Sequence, residues 1–513
     1  METVALSSRR WWSLAALALS VLVIGLDGTI LNVALPTLAV DLNAGTDELQ
    51  WIVDSYLIVL AALMLPAGLL GDRIGRKKLL LIGLTIFLGA SVAAAFAGGT
   101  SALIAARAGM GVGAAIIMPV SMAILPSIFG PDERGRAIAV WTAGTALGLP
   151  LGPVLGGYLL EHYWWGSVFL INVPVVALAL GAAAILLPES SDPDAKGLDP
   201  VGTVLAVTGL GALIFGVIQS PSDGWTAPTV YVPVIGGILA LAAFVTIQLR
   251  SARPMVELSL FADRIFLWGT VGAVFVSLAL VGLLFLVPQY LQVVLGYGTL
   301  ATGIRLIPLI AGLMVGGLTA DRLVARFGFR TVVTAGLLVL ATGFGLGALT
   351  GTADGYGQAV RWLVVIGLGV GLTLPPIMDA VLDTLPERST GAGSGLLQAL
   401  RQVGGAFGVA VLGSLLSWAY ADRLDVVHLP VQAAEVAEES VTGAATVAQR
   451  LGDGDLLSSA QSAFVHAMTV VMLACALGAV LVATLMARFL PGRARAEATP
   501  SQNEDHHELS GFA

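Results

Sequence analysis

Three ionisable residues, Asp27, Asp54 and Arg107, lie inside stretches that otherwise consist of apolar residues long enough to cross a membrane. A charged side chain near the middle of a bilayer costs about 2.5–3.5 kcal/mol on insertion scales, so such residues usually have a partner and a function. A buried carboxylate can bind and release a proton, and a nearby arginine can control that exchange. A structural alternative is open for Arg107, which could simply tie helices together.

The composition is typical of a polytopic membrane protein. Of the 513 residues, 57% are hydrophobic and 11% are charged, whereas soluble domains carry about 25% charged residues. The mean hydropathy is +0.91. One cysteine and five histidines argue against a metal centre, and we expect neither a metal nor a cofactor. The net charge of −8 argues against nucleic acid as a partner.

The apolar pattern predicts fourteen membrane-spanning helices. A span needs about 20 apolar residues to cross a core roughly 30 Å thick. The predicted spans cover residues 12–38, 50–70, 79–98, 102–126, 136–159, 167–187, 200–219, 230–249, 265–289, 302–320, 331–350, 359–383, 393–418 and 463–489. The first run continues without a small-residue cleavage pattern, so we expect no signal peptide. The predicted fold class is an all-α integral membrane protein.

Lys and Arg residues are concentrated in alternate loops. With the N-terminus inside, 19 of the 25 fall on one side of the predicted bundle. Cytoplasmic loops carry the excess of positive charge, so both termini are predicted to be cytoplasmic. The helical rise of about 1.5 Å per residue then places Asp27, Asp54 and Arg107 in the outer half of the membrane, where they could share one region.

Two polar segments interrupt this pattern near the C-terminus. Residues 419–462 form a predicted outer loop rich in Ala, Val and Glu, and loops of this length are usually functional or carry their own structure. A helical hairpin over the outer mouth and a solvated loop are both open alternatives. Residues 494–513 are polar, and we expect a disordered tail.

One loop sequence occurs twice. Residues 68–78 and 317–328 both follow a predicted span, and each has Gly four residues before an Asp-Arg pair. Internal similarity of this kind is typical of transporters built from two like halves around a midplane site. The copies lie eight spans apart instead of six, so we predict two inserted helices. The predicted organisation is a six-helix half (1–190), two inserted helices (191–255), a second six-helix half (256–493) and the tail.

The chemistry of the repeated loop predicts a conformational gate. Asp72 and Asp321, at the inner ends of helices, can accept hydrogen bonds from the N-terminus of a neighbouring helix. The adjacent arginines can bind carboxylates of the other half. The residues assigned to this gate are Gly68, Asp72, Arg73, Gly75, Arg76, Asp321 and Arg322. The alternative is that the basic cluster only fixes the membrane orientation.

A glycine stripe runs along the fifth predicted span. Gly144, Gly148, Gly152 and Gly156 recur every four residues, which lets another helix approach closely. Pro150 and Pro153 in the same span should add a bend. We assign Gly148, Gly152, Pro153, Gly156 and Gly157 to conformational gating, with a purely structural packing seam as the alternative. Gly404 and Gly408 look like a weaker counterpart in span thirteen.

These segments resemble the major facilitator superfamily, specifically its fourteen-span drug:proton antiporters of the QacA and SmvA type. Residues 26–36 with 51–56, the repeated loop, residues 107–115 and residues 144–157 carry the resemblance, which covers essentially the whole chain. One departure is Met110, where Gln is usual. The resemblance implies two six-helix halves plus two extra helices, a bacterial cell membrane, a monomer, and efflux of lipophilic, chiefly cationic drugs in exchange for protons.

Our hypothesis for the mechanism is that Asp27 holds either a proton or a cationic substrate. Burial favours the neutral carboxyl, whereas Arg107 and a bound cation favour the charged form. Asp54 could be a second proton carrier, or its negative charge could attract cationic substrates. Asp379, near the inner end of span twelve, could select substrates on entry or snorkel to the interface with Asp383. The candidate substrate-binding residues are Asp27, Asp54, Tyr56, Met118, Phe285, Tyr290, Asp379 and Trp418.

Three other functions are weighed against this one. The same fold could export a specific endogenous antibiotic, lipid or siderophore. A membrane enzyme would need a nucleophile and a base or a nucleotide-binding loop, and the sequence has neither pattern. A passive channel or sensor would move substrates without a proton gradient.

Overall fold

The computed structural model describes residues 2–42, 44, 46–191, 199–251, 254, 258–385, 390–426 and 429–491. The predicted tail lies outside these residues. The α-helices of the described chain are α1 (Glu2–Asp41), α2 (Thr46–Ile74), α3 (Arg76–Ala95), α4 (Thr100–Ile128), α5 (Pro131–His162), α6 (Ser167–Leu170), α7 (Asn172–Leu186), α8 (Pro200–Asp223), α9 (Pro228–Arg250), α10 (Arg264–Gln289), α11 (Thr299–Arg305), α12 (Ile307–Phe327), α13 (Phe329–Ala348), α14 (Tyr356–Asp383), α15 (Thr390–Ala421), α16 (Val431–Glu439), α17 (Val441–Leu451) and α18 (Gly454–Phe489). A 3₁₀ turn (Leu258–Ala262) precedes α10, and a π-helical segment (Tyr290–Val294) follows it.

Fourteen helical segments of the described chain are long and apolar enough to cross a membrane. The predicted number of spans and the all-α fold class are therefore confirmed. Two spans are interrupted near one end. The sixth consists of α6 and α7, and the tenth consists of α11 and α12.

The helices pack in two groups with the same arrangement. We call α1–α7 the first half and α10–α15 with α18 the second half. In the first half α1 packs on α5, α2 on α4, and α3 on α4 and α7. In the second half α10 packs on α15, α12 on α14, and α13 on α14 and α18. Each contact of one half therefore has a counterpart in the other.

The repeated loop joins two helices at the same end of both halves. α2 meets α3 at Gly75, which has φ 109°, and α12 meets α13 at Gly328, which has φ 85°. Only glycine adopts such backbone angles readily. We call this end of the bundle the basic end. Its exposed cationic residues include Arg73, Lys78, Arg322, Arg326 and Arg330.

The two inserted helices cover the line where the halves meet. α8 packs against α2 of the first half and α15 of the second half. Leu65 and Leu69 of α2, Ala206 of α8 and Ala392 of α15 belong to one buried apolar cluster. α9 packs mainly on α8, and most of its surface faces outward.

The long loop at residues 419–462 contains a pair of short helices, α16 and α17, as the hairpin alternative predicted. The Tyr420 hydroxyl donates a hydrogen bond of 3.2 Å to the Ala437 carbonyl. Val441, Ala444 and Val447 are buried, and α17 packs on α18. The helix pair is thereby held against the end of the bundle opposite the basic end.

Candidate transport site and contacts between the halves

Asp27 and Arg107 form a buried ion pair inside the first half. Arg107 Nη1 lies 2.5 Å from Asp27 Oδ2, and the two side chains are 1% and 0% exposed. Arg107 Nε also donates to the Ile52 carbonyl at 3.1 Å. Its guanidinium carbon lies 4.3 Å from the centre of the Tyr56 ring. Helices α1, α2 and α4 thus meet at this pair.

Close packing of glycines brings these helices together. A Cβ on Gly111 of α4 would lie only 2.8 Å from the Tyr56 carbonyl oxygen of α2, so no larger residue fits there. α5 packs equally closely on α1 around Asp27. A Cβ on Gly148 would lie 2.5 Å from the Leu22 carbonyl oxygen, and one on Gly152 would lie 2.7 Å from the Ile30 nitrogen. The glycine stripe therefore flanks the buried acid.

Two residues that sequence reasoning missed complete the surroundings of Asp27. Asn172 Nδ2 of α7 lies 3.4 Å from Asp27 Oδ1 and 3.1 Å from Ser91 Oγ. Ser91, in α3, donates in turn to the Phe169 carbonyl at 2.8 Å. The only sequence signal for Asn172 is a lone amide in an apolar span, and nothing in the sequence pairs it with Asp27. The acid is therefore held by helices of the whole first half.

Met110 contacts this network, and Asp54 is buried in the same helix as Tyr56. Asp54 is 4% exposed and lies two residues after Ile52, whose carbonyl accepts the Arg107 hydrogen bond. The ion pair of Arg107 is made with Asp27. Met110 Sδ lies 3.9 Å from Arg107 Nη1, so the departure from the family motif places a soft apolar group beside the guanidinium.

The aromatic and methionine residues predicted to bind substrate are spread over the molecule. Tyr56 adjoins the Asp27–Arg107 pair. Met118 is half-buried in α4, and Tyr290 is buried beside Trp362 in the second half. Phe285 is 43% exposed and Trp418 is 65% exposed. In the described contacts, only Tyr56 of this set touches the ion pair.

A small apolar pocket lies between the halves. Sequence reasoning missed it, because leucine and alanine carry no signal that separates a cavity wall from ordinary packing. Its lining residues are Ala146 and Pro150 of α5, Leu280 and Leu284 of α10, and Leu306, Leu309, Ile310 and Leu313 at the start of α12.

Asp72 joins the halves at the basic end. Its carboxylate accepts hydrogen bonds of 2.9 Å from the backbone N–H groups of Gly391 and Ala392, in the first turn of α15. Arg76 Nη2 lies 2.8 Å from the same carboxylate. A Cβ on Gly395 would lie 2.7 Å from the Met64 carbonyl oxygen, so α2 and α15 are in backbone contact. The expected hydrogen bonds from a helix N-terminus are present.

Asp321 makes the equivalent contact from the second half. Its carboxylate lies against the backbone of Gly135, in the first turns of α5, and beside Arg136. Arg73 and Arg322 are exposed, and no ion pair found among the described residues includes either of them, so their binding of carboxylates across the halves stays a prediction. Arg76, one turn further along the chain, pairs with Asp72 instead.

A third contact at the basic end involves Asp379. Arg134 Nε of α5 lies 3.7 Å from Asp379 Oδ1 of α14, and Arg134 also pairs with Asp383. The acidic pair therefore binds a cation of the other half. The Asp379 side chain is 24% exposed and that of Asp383 is 51% exposed, so both of the predicted alternatives, substrate selection and snorkelling to the interface, stay open. Neither residue is among those that line the apolar pocket. The role of Arg134 was missed because its partners lie far away in the chain.

The glycine stripe and its counterpart pack in the same way. A Cβ on Gly144 of α5 would lie 2.9 Å from the Ala18 carbonyl oxygen of α1. A Cβ on Gly404 of α15 would lie 2.7 Å from the Val274 carbonyl oxygen of α10. Gly156 packs on Ile30, whereas the Cβ position of Gly157 has no neighbour within 4 Å. Pro153 lies inside the continuous helix α5.

Two like halves of membrane-spanning helices, one of which holds a buried ion pair and which are joined by hydrogen bonds at one end, are typical of a membrane transporter. The family model of the Major Facilitator Superfamily matches residues 17–409. The chain therefore belongs to this superfamily.

Known proteins of similar sequence include exporters. The multidrug efflux pump LfrA of Mycolicibacterium smegmatis is 37% identical over 89% of this chain and 92% of its own length. The tetracenomycin C resistance and export protein of Streptomyces glaucescens is 33% identical over 80% of this chain and 77% of its own length. Among solved structures, the proton:xylose symporter XylE superposes with a TM-score of 0.61 at 16% identity, covering 95% of this chain and 98% of that chain.

Proposed function

We propose that this protein is a proton-coupled multidrug efflux antiporter, which exports lipophilic, chiefly cationic compounds in exchange for protons. The observation that carries the proposal is the buried Asp27–Arg107 ion pair. An ionisable residue inside a membrane-spanning segment is costly, and it usually marks the path of a substrate or a proton. The similarity to a multidrug efflux pump over most of both chains supports it.

The contacts of Arg107 fit two states of Asp27. When Asp27 is charged, it pairs with Arg107 and is available to a cationic substrate. When Asp27 takes up a proton, Arg107 keeps the Ile52 carbonyl and the Tyr56 ring as partners. These two groups then stabilise the charge of the guanidinium. Proton and cation thus compete for one carboxylate, and that competition couples their opposite movements.

We further propose that the basic end is cytoplasmic and that both termini lie there, because cytoplasmic loops carry the positive charge. On this proposal the protein is a monomer in the cell membrane, with halves at residues 1–190 and 256–493 and the inserted helices at 191–255. The structure then has its inner side closed. Opening toward the cytoplasm would break the contacts of Asp72, Asp321 and Arg134 that cross between the halves.

The proposal is tested with purified protein in liposomes that carry an imposed pH gradient. We expect gradient-driven export of ethidium by the wild-type protein, and loss of this export in the variant Asp27→Asn, which keeps the size of the side chain. Ser20→Ala is the control. Ser20 is buried in the same helix, seven residues before Asp27, and this variant should transport normally. Undiminished transport by Asp27→Asn would refute the role of Asp27.

A second candidate is the export of one endogenous antibiotic. The similarity to a tetracenomycin C export protein favours it. A specific exporter would ignore structurally unrelated cations, whereas a multidrug pump would show mutual competition between ethidium and tetraphenylphosphonium in the same liposomes. Competition between these two cations therefore separates the candidates.

A further inference from the structure

The tenth span is broken into α11 and α12 at the end of the bundle opposite the basic end. The Leu306 N–H donates to the Gly303 carbonyl at 3.2 Å, and the Leu309 N–H donates to the Leu306 carbonyl at 3.1 Å. These bonds reach back three residues, whereas those of an α-helix reach back four. Pro308 has no N–H and so cannot bond the Ile304 carbonyl. The backbone is therefore weakly bonded where α11 meets α12.

A second break lies at the other end of α11. Gly296 has φ 70°, and Gly298 immediately precedes the helix. Between α10 and Gly296 lies the π-helical segment Tyr290–Val294, a type of structure that often marks functional sites. α11 is thus a helix of seven residues with a break on each side. Such breaks can absorb the change in backbone angles when a lid moves.

α11 touches the first half beside the apolar pocket. A Cβ on Gly303 would lie 2.8 Å from the Pro150 carbonyl oxygen and 2.8 Å from Val154 Cγ2, both in α5. Pro150 and Leu306 also line the pocket. The rest of its α12 wall lies further along the chain, toward the basic end. α11 therefore lies between the pocket and the end of the bundle opposite the basic end.

Arg305, the last residue of α11, attaches this helix to the second half. Its guanidinium carbon lies 3.6 Å from the centre of the Tyr297 ring and 5.2 Å from the centre of the Tyr356 ring. The Tyr356 hydroxyl donates to the Arg305 carbonyl at 3.0 Å. No ion pair within the described part of the chain includes Arg305. Because aromatic faces hold the guanidinium, this clamp can open without separating two opposite charges.

We propose that α11 is a lid, which opens the pocket toward the end opposite the basic end by swinging about Leu306–Pro308 relative to the rest of the second half. The clamp of Arg305 with Tyr297 and Tyr356 holds the lid closed. Transporters built from two like halves work largely by rigid rocking of those halves, and the lid adds a local movement to it. The inference concerns movement alone, so it can fail or hold independently of the proposed substrates and proton coupling.

The test measures distances between spin labels in purified protein, without substrate or pH gradient. Cysteines replace Leu300 in α11, Leu349 after α13 and Tyr163 after α5, which are all exposed. The label pairs are 300 with 163 and 349 with 163. α11 is about 10 Å long, so a swing of about 30° would move Leu300 by about 5 Å. We expect Arg305→Gln to add distances longer by this amount in the first pair and to leave the second pair unchanged.

Two further variants examine the hinge and the clamp. Pro308→Ala supplies the missing N–H, so it should make the helix continuous and remove the longer distances when it is combined with Arg305→Gln. Arg361→Gln removes an exposed arginine from the first turns of α14. This matched control should leave both distances at their wild-type values.

Gly303→Ala and Gly298→Ala form a pair for the contact with α5. A methyl group at Gly303 would collide with the Pro150 carbonyl, so it should push α11 away from α5 and lengthen the first distance. The Cβ position of Gly298 has no neighbour within 4 Å, so Gly298→Ala should change neither distance.

The outcomes separate the lid from rigid rocking. Equal lengthening of both distances in Arg305→Gln would show that α11 moves with its half as one body, and that result would overturn the inference. Wild-type distances in Arg305→Gln would overturn it as well, and longer distances that persist with Pro308→Ala would refute the hinge. If the distances behave as expected but the wild-type protein exports no ethidium under a pH gradient, the lid stands and the proposed function is refuted.

Discussion

At Asp27, three different groups stabilise one carboxylate: the guanidinium of Arg107, the amide of Asn172 and, through that amide, Ser91. The carboxylate is fully buried, so the hydrogen bonds that it accepts are stronger than they would be in water. Tyr56 lies on the other side of Arg107 and leaves its hydroxyl without a hydrogen-bond partner among the described residues. Transport should therefore respond to changes in the neighbours that hold Asp27 in place.

Asn172→Ala tests this at the scale of a single residue. Removal of the amide takes a hydrogen-bond donor away from Asp27. A hydrogen bond to a charged group contributes about 1.5–3 kcal/mol, so we expect ethidium export to fall about tenfold or more. Ser20→Ala should export ethidium normally, because Ser20 donates to Ala16 within its own helix. Undiminished export by Asn172→Ala would show that the amide does not act on Asp27.

At the scale of the elements, the contact between α1 and α5 determines where Asp27 lies. Gly144, Gly148, Gly152 and Gly156 bring the two backbones together, and small residues of this kind are what allows helices to pack tightly in a membrane. The contact between α10 and α15 repeats this arrangement in the second half. Movement of the first contact would displace Asp27, the partner of Arg107.

Gly148→Ala and Gly157→Ala form a matched pair for this contact. A methyl group at Gly148 would collide with the backbone of Leu22 and Gly25, whereas the same group at Gly157 meets open space. We expect Gly148→Ala to lose about 1–3 kcal/mol of stability, the usual effect of overpacking, and to lose ethidium export. Thermal unfolding in detergent measures the first effect and liposome transport the second. Equal behaviour of the two variants would contradict the packing argument.

At the scale of the whole molecule, contacts of charged side chains help to join the two halves at the basic end. Asp72 binds the start of α15, Asp321 binds the start of α5, and Arg134 binds Asp379 and Asp383. The first two are related by the internal repeat, and the third has no counterpart in the repeated loop. These contacts oppose opening of this end.

Asp72→Asn should weaken the closure of the basic end. The uncharged amide binds backbone N–H groups less strongly than a carboxylate, so we expect the halves to separate more often. Spin labels on cysteines that replace the exposed Lys78 and Arg330 report the distance, since the native Cys475 is buried. Asp72→Asn should add longer distances. Asp132→Asn, an exposed acid at the same end, should not. Identical distributions in both variants would contradict the role of Asp72.

The long apolar runs were sufficient to predict the fourteen spans, because a bilayer imposes their length. The repeated Gly-Asp-Arg spacing was sufficient to predict the hydrogen bonds of Asp72. A carboxylate at the end of one helix can accept hydrogen bonds from the free N–H groups at the start of a neighbouring helix. The partners of Arg134 and Asn172 depend on packing between distant helices and could not be predicted. Phe285 and Trp418 are exposed, and their place in a substrate cavity stays a prediction, since residue type does not determine which face of a helix meets the other half.

The central claim is that proton and cationic substrate compete for Asp27. The most direct measurement is the release of protons from purified, weakly buffered protein when tetraphenylphosphonium is added at neutral pH. The account predicts that binding displaces protons from the wild-type protein and that Asp27→Asn releases none. Binding of the cation to the wild-type protein without proton release at any pH across the neutral range would contradict it.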